Sequence, residues 1–361
     1  DKPMLPATAK LHNTDLSWEG VHLAVMTHNN QLDVDTPPQE LHSSVVVTDM
    51  QAMTDFNVFL MGVETFDWHI HGHADAIAVS DKVDIIVDKD ITMTGFNNFP
   101  VNPVIETVSV YDGTPEVLYS LSTTVLFSPS NIALVFGQDL SFELKSNGIK
   151  VGIGTIPNST FETGEFSVVV TVAMSASNAE ETAEVNRVCG QFISQIPTNV
   201  TMESFYLSKP IAWLTPALTS LPFESVLPPV QEWVMDSLDM YVYPADLLNV
   251  QWGGHFYNPL DTLLTLYSMK CDISYKGEVI AQVDEPNIEI IIPPKTHIIS
   301  ANDMYARTVL AHTPQLLDLV EAGGGPLDLD CIIHNSMGVF MVDLNYVQPN
   351  VPSTVHNGRP E

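Results

Sequence analysis

The 361-residue chain is poor in positive charge: 13 Lys and Arg stand against 44 Asp and Glu, a formal net charge of −31. Nucleic acids and anionic membrane surfaces are gripped by basic patches, so both partner classes are excluded. Long apolar runs are missing. None approaches the roughly 18 residues that a membrane-spanning helix needs, and no membrane span is expected in this chain. Catalytic signatures are missing too. There is no Gly-x-Ser-x-Gly, no His-Glu-x-x-His and no Cys-x-x-Cys. The glycines of "EAGGGP" (321–326) lack the Lys-Ser/Thr of a phosphate loop, and Gly152 and Gly154 sit in a strand without the helix of a dinucleotide site. A polyanion attracts Ca²⁺, but no loop of EF-hand spacing occurs. The sequence points to no enzyme class and calls for no cofactor.

What is present is apolar and periodic. Apolar residues make up 45% of the chain, enough to bury a real core, and the length allows two or three domains. Alternation of period two dominates, as in "TMESFYLS" and "GVFMVDLNYV". That pattern describes antiparallel sheets with one wet face.

The chain also repeats. "SWEGVHLAVMT", "SNGIKVGIGTIP" and "YKGEVIAQVDEP" place a glycine turn before an apolar strand, with Gly20, Gly148 and Gly277 spaced by 128 and 129 residues. "SVVVT" occurs at Ser44–Thr48 and again at Ser167–Thr171, and "TPP" at Thr36–Pro38 has a counterpart in "IPP" at Ile292–Pro294. Ser128-Pro129 and Asn258-Pro259 precede the two later glycine turns. A helical segment follows each: one from Asn178, with an Asn cap and acids in its first turn, the other from Ala301. The expected fold is mainly β, with tandem immunoglobulin-like antiparallel β-sandwich modules that each carry one helix. The modules read as 1–97, 98–211 and 212–350, with a C-terminal tail at 351–361. The first has only 19 residues ahead of Gly20. It therefore lacks leading strands and exposes an unpaired edge.

The tract Phe66 to Pro100 contains "FDWHIHGHADAIAV" and then "VDKDITMTGFNNFP". With the Asn-Pro strand, the "Y-x-G" turn and the Pro-Pro strand, it resembles the late-embryogenesis-abundant type 2 fold. More narrowly, it resembles large fungal and oomycete secreted or vacuolar proteins built from tandem copies of a related domain of unknown function. The resemblance extends over most of the chain and implies repeated β-sandwiches without an assigned catalytic residue. The third copy departs from it, closing in "CIIHNSMGVFMV" with no further linker tract.

Candidate residues follow from parity. In "DWHIHGHAD", His69, His71 and His73 share one strand face with Asp67 and Asp75, while Trp68, Ile70, Gly72 and Ala74 share the other. His-x-His can ligate a metal if a third ligand arrives from elsewhere. A solvated strand face that gains positive charge in mild acid is the competing reading. Cys271 and Cys331 lie on inward parities of two strands and could form a disulfide, whereas Cys189 sits at helical spacing among Val185, Val188 and Phe192 and reads as a buried thiol. Sequons at Asn158 and Asn199 point to a glycoprotein of the secretory route, and a start at Asp1 reads as a processed product. The expected function is a non-catalytic secreted or cell-surface structural glycoprotein, a homo-oligomer or polymer assembled head to tail into an extracellular fibre. Its contact would be a strand from the C-terminal segment, with Tyr346, Val347 and Val351, or from residues 1–10. The alternative is a lipid-binding or lipid-transfer protein of the vacuole or extracellular space, with ligand held between the sheets.

Overall fold

The computed structural model describes residues 7–28, 31–33, 43–78, 81–243, 246–300 and 304–357. The chain is mainly β, in tandem modules dominated by antiparallel sheet, each carrying a helix. The first module comprises β1 (Ala7–Trp18), β2 (Val21–His28), β3 (Gln31–Asp33), β4 (Ser43–Val47), α1 (Met50–Gly62), β5 (Thr65–Ala78) and β6 (Asp81–Thr94). Its strands run β4-β2-β1-β5-β6, with β3 also on β1. Helix α1 starts where the Asp49 carboxylate accepts the N–H groups of Gln51 and Ala52. Its Met53, Phe56 and Leu60 pack on the apolar face of the sheet, where Phe56 meets Trp18, Phe66 and Trp68.

The second module comprises β7 (Val104–Gly113), β8 (Leu118–Ser128), β9 (Leu134–Val135), β10 (Leu140–Ser146), β11 (Ile149–Ile156), β12 (Thr160–Phe161), β13 (Gly164–Met174), α2 (Ala179–Ile193), β14 (Thr198–Leu207), α3 (Thr215–Thr219) and β15 (Phe223–Leu227). Seven strands run β7-β8-β13-β11-β10-β14-β15. The sheet curls until its two ends adjoin, and Ser225 Oγ donates to the Pro103 carbonyl across the seam at 2.7 Å. Strand β10 shows how alternation builds this wall: Leu140, Phe142 and Leu144 are buried and the residues between them are half-buried.

The third module comprises β16 (Met235–Tyr243), β17 (Asp246–Tyr257), β18 (Leu264–Tyr275), β19 (Glu278–Glu285), β20 (Ile290–Ile292), β21 (His297–Ile299), β22 (Met304–Thr308), α4 (Thr313–Glu321), β23 (Gly324–Met337) and β24 (Phe340–Asn357). Here closure is complete. Besides its antiparallel pairing with β17, β16 pairs in parallel with β24, so the path β16-β24-β23-β18-β19-β22-β17 returns to β16.

The repeat is visible in the topology. Five strands run in one order in the large sheet of each module: β4-β2-β1-β5-β6, β13-β11-β10-β14-β15 and β22-β19-β18-β23-β24. The three glycine turns join equivalent hairpins. Glu19-Gly20, Asn147-Gly148 and Lys276-Gly277 all have positive φ at both residues, the mirror-image turn that matches strand twist. The later modules add a leading hairpin, β7–β8 or β16–β17, which pairs with β13 or β22. The first sheet has no such hairpin among the described residues.

Three expectations are corrected. The second module runs on to Leu227, because β15 pairs with β14, and does not end at 211. The helix of the third module, α4, begins at Thr313, not Ala301. Met304 and Ala306 are buried while Tyr305 and Arg307 are exposed, so this stretch has strand periodicity and lies between β17 and β19. Residues 351–357 belong to β24, not to a tail. The Thr36–Pro38 marker lies outside the described residues.

The junctions are packed. Gly95, Phe96, Asn97 and Asn98 donate their N–H groups to the carbonyls of Glu64, Leu60, Val63 and Met61, at and beyond the end of α1. This holds Phe96 and Phe99 in a buried aromatic cluster with Phe161 and Phe223 of the second module. Helix α2 lies against β24: a Cβ on Gly190 would come within 2.9 Å of the Asn345 carbonyl oxygen, and Val347 N–H donates to Ser194 Oγ.

Candidate functional site

The histidine strand is β5, and its neighbours decide what it can do. The register sets His69 opposite Asp90 and His71 opposite Asp88 on β6, with His71 also opposite Asp15 on β1. His69 Nδ1 donates to Asp90 at 2.9 Å, and its Nε2 lies 3.2 Å from Asp88. His71 Nδ1 is 3.8 Å from the other oxygen of Asp88, and His73 Nδ1 is 3.4 Å from Asp84. On β1, His12 Nε2 donates to Asp75 at 2.8 Å. Lys82 also holds Asp75, at 2.7 Å, and this hydrogen bond is the main cause that keeps the Asp75 carboxyl below its ordinary value. The wet face of the first sheet is thus a lattice of imidazoles and carboxylates.

The lattice does not converge. Side chains two residues apart on one strand face are separated by roughly 6.5–7 Å. His69 and His71 share Asp88 while His73 turns to Asp84, so the three do not meet at one carboxylate. Among the described residues, no three His, Cys, Asp or Glu side chains are placed to hold a metal ion. The metal centre expected as one reading of these histidines is therefore not assembled by this geometry. What the sheet presents is a solvated face of exposed pairs.

The two inward cysteines are joined. Cys271 on β18 and Cys331 on β23 are direct cross-strand partners and form a disulfide. Tyr267, four residues before Cys271, is only half-buried, because a bulge between Leu266 and Ser268 resets the parity of β18. Cys189 is a buried free thiol in α2, and burial pushes its pKa up to about 12.

Both sequon asparagines are exposed. Asn158 occupies the turn after β11 with φ of 45°. Asn199 lies within β14, on the rim of an open groove along the seam of the second sheet.

The assembly residues Tyr346, Val347 and Val351 are part of β24. Tyr346 and Val351 are fully buried in the third barrel, where Gln348 also reaches the Met235 carbonyl. Only Val347 is exposed. A free C-terminal strand is ruled out for this segment, because β23 and β16 already take up its backbone.

The apolar cavities inside the second and third modules are small. The apolar cavity of the second module, lined by residues including Ile105, Val110, Phe142, Val170 and Cys189, has a volume of about 50 Å³. The third barrel encloses about 10 Å³ around Leu238, Trp252 and Cys271. Small-molecule pockets generally run from ~300 to ~1,000 Å³. A lipid held between the sheets of these two modules therefore has no room in this conformation.

Sequence reasoning missed the module junctions. The signal for them was "GFNNFP", in which two small amides between phenylalanines supply the positive φ of Asn97 and Asn98.

Residues 23–144 match the model of a family described as a protein of unknown function, DUF3712. The match starts in β2 and ends in β10, so it spans close to one repeat and crosses the first junction. No curated protein sequence matches the chain. Among solved structures, the chain is similar to a biofilm-associated protein BSP domain at 8% identity and a TM-score of 0.17. It is similar to zebrafish RET cadherin-like domains 1 to 4 at 8% and 0.17, and to the collagen adhesin CNA from S. aureus at 10% and 0.15. The alignments cover 97%, 96% and 71% of this chain and 59%, 66% and 92% of those chains. The chain thus spans less than two thirds of the length of the first two. At these scores nothing beyond the similarity itself carries over.

Proposed function

We propose that the chain is a non-catalytic structural glycoprotein of the extracellular space or cell surface that assembles with other polypeptides through its first module. The observation that carries this reading is the inequality of the three copies. Two sheets are closed, or nearly so, by a leading hairpin, whereas among the described residues β4 of the first sheet has β2 on one side and no strand on the other. A sheet edge left unpaired is a template for another chain.

Other features support the reading. The buried disulfide suits an oxidising compartment. Asn158 and Asn199 are accessible to a glycosyltransferase. Most titratable side chains of the first sheet, His69, His71 and His73 among them, face solvent beside carboxylates. No helix among the described residues is long and apolar enough to cross a membrane.

The test is electron microscopy and sedimentation of natively sourced protein, with glycopeptide mass spectrometry. Filaments or ordered oligomers, and glycans on Asn158 or Asn199, are the expected result. A bare monomer at high concentration overturns the reading. The C-terminal clamp is no longer part of it, because β24 is consumed within its own module.

A further inference from the structure

Each module has a corner beside its glycine turn, and two of these corners hold a cation of their own. In the second module, Arg187 of α2 donates at 2.7 Å to Ser146, which stands two residues before Gly148, and pairs with Glu184 on its own helix. In the third, Lys276 lies 4.9 Å from the ring centre of Tyr275, two residues before Gly277, and 3.5 Å from Asp318 of α4. In the first module the residue two before Gly20 is Trp18, and Glu19 stands where Asn147 and Lys276 stand in the others. Counted from the helix caps Asp49 and Asn178, Val58 takes the place of Arg187. The first corner has gained an aromatic ring and a carboxylate and has no cation in either equivalent position.

This corner is also hollow. The pairing of β1 with β5 ends at Ser17 and His69, whereas β5 begins at Thr65, so the first residues of β5 and the Glu19-Gly20 turn border a notch. An open cleft of about 670 Å³ lies there, within the ~300 to ~1,000 Å³ of small-molecule sites. Its apolar lining is Trp18, Phe59 and Phe66, and its acidic lining is Glu19, Asp67 and Asp90. Phe56 meets Trp18 at 5.6 Å and Phe66 at 5.5 Å, and so holds those two rings apart from behind. Trp18 rests on Phe59 at 4.8 Å. Among the described residues no lysine or arginine lines the cleft, and its imidazole, His69, is hydrogen-bonded to Asp90. Every lining residue and both of its chain neighbours are described.

We propose that this cleft binds the arginine side chain of a partner polypeptide. The guanidinium stacks on the Trp18 ring and donates to Glu19 and Asp67, and its aliphatic stem lies against Phe59. Arginine suits the site better than lysine, because its planar fork meets two carboxylates and a ring face at once, where an ammonium acts as a point charge. The other two corners show that a cation belongs at this place in the repeat, and the three carboxylates of the cleft supply the complementary charge. At longer range, a chain of net charge −31 draws in a basic segment. The inference rests on the reading of the first module as the one that meets other polypeptides, and names the chemistry of that contact.

The probe is N-acetyl-arginine methylamide, titrated into the full chain at constant ionic strength and followed by calorimetry and tryptophan fluorescence. The expected result is saturable 1:1 binding. The citrulline analogue, neutral and of the same shape, should bind roughly tenfold more weakly, and the lysine analogue about threefold more weakly. Trp18→Ala should abolish binding. Because Trp18 also packs on Phe56, the double variant Glu19→Gln, Asp67→Asn, at two exposed positions, tests the site in a folded chain and should weaken binding by roughly tenfold. Glu162→Gln, exposed in the second module, should leave it unchanged. No saturation by roughly 0.1 M arginine probe overturns the proposal. Equal binding of the citrulline analogue, or full binding by the double variant, overturns it as well. Equal binding of the lysine analogue overturns the guanidinium assignment. Binding that weakens as protein concentration rises places a second copy of this chain in the cleft and overturns the separate partner. If native protein assembles while the probe does not bind, the assembly role stands and this site falls. If the probe binds and native protein stays monomeric, the site stands and the assembly role falls.

Discussion

Cys271 and Cys331 face each other across β18 and β23 with Cα atoms 4.1 Å apart, and their sulfurs are bonded in the core of the third barrel. The bond links positions separated by 60 residues, a span that includes the strands β19 and β22 and helix α4. Cross-linking a loop of this length restricts the unfolded chain and stabilises the fold by roughly 2–4 kcal/mol. The double variant Cys271→Ala, Cys331→Ala should lose about that much in denaturant unfolding. Unfolded but unreduced parent protein should titrate one thiol, and three after reduction. Three thiols before reduction would remove the cross-link from the account.

Cys189 should behave as an inert thiol. It should resist alkylation in the native state and react once the chain unfolds. Its pKa is raised from 9.0 to about 12 by burial. The stability it contributes is therefore complete below pH 9 and is lost as pH rises toward 12. At pH 10 the loss is roughly 1.4 kcal/mol, because only the unfolded thiol ionises there. The stability gap between the parent and Cys189→Ala should narrow by about that amount between pH 8 and pH 10. A gap that does not move refutes the assignment.

Asp239 ties the closing strands together. Its carboxylate accepts from His255 Nε2 at 2.8 Å on β17 and from His356 Nε2 at 3.1 Å on β24. Desolvation on its own would raise the Asp239 carboxyl, but the two imidazole hydrogen bonds outweigh it and hold the group below 3.8. A depressed carboxyl contributes stability above its unfolded value and loses it as pH falls below. Asp239→Asn should destabilise the third module by about 1–3 kcal/mol near neutrality, and the difference should shrink below pH 3.8. Chemical unfolding of both proteins across that range is the check.

The histidine lattice should matter little to folding. Exposed pairs of this kind contribute about 0–1 kcal/mol each, and often nothing. Replacing His69, His71 and His73 together with alanine should lower stability by less than about 2 kcal/mol. A collapse of the first module, or a fall in melting temperature on chelation of the parent, would instead indicate a structural metal.

The sequence by itself determined the local rules. Period-two alternation specified strands, because one face of each sheet must be apolar, and the glycine turns at 20, 148 and 277 specified equivalent hairpins, because both turn residues need positive φ. The separation of His69, His71 and His73 from Trp68 and Ile70 was legible too, since strand parity is a local property. Tertiary structure decided where backbones meet. No local signal told that β24 would run on through Val351 and close a barrel in parallel with β16, because a parallel pairing depends on strands distant in sequence. The stretch from Ala301 carried residues compatible with a helix, and only the gap between β17 and β19 made 304–308 a strand. The three histidines kept their shared face, but which carboxylates of β6 they meet is set by register across strands.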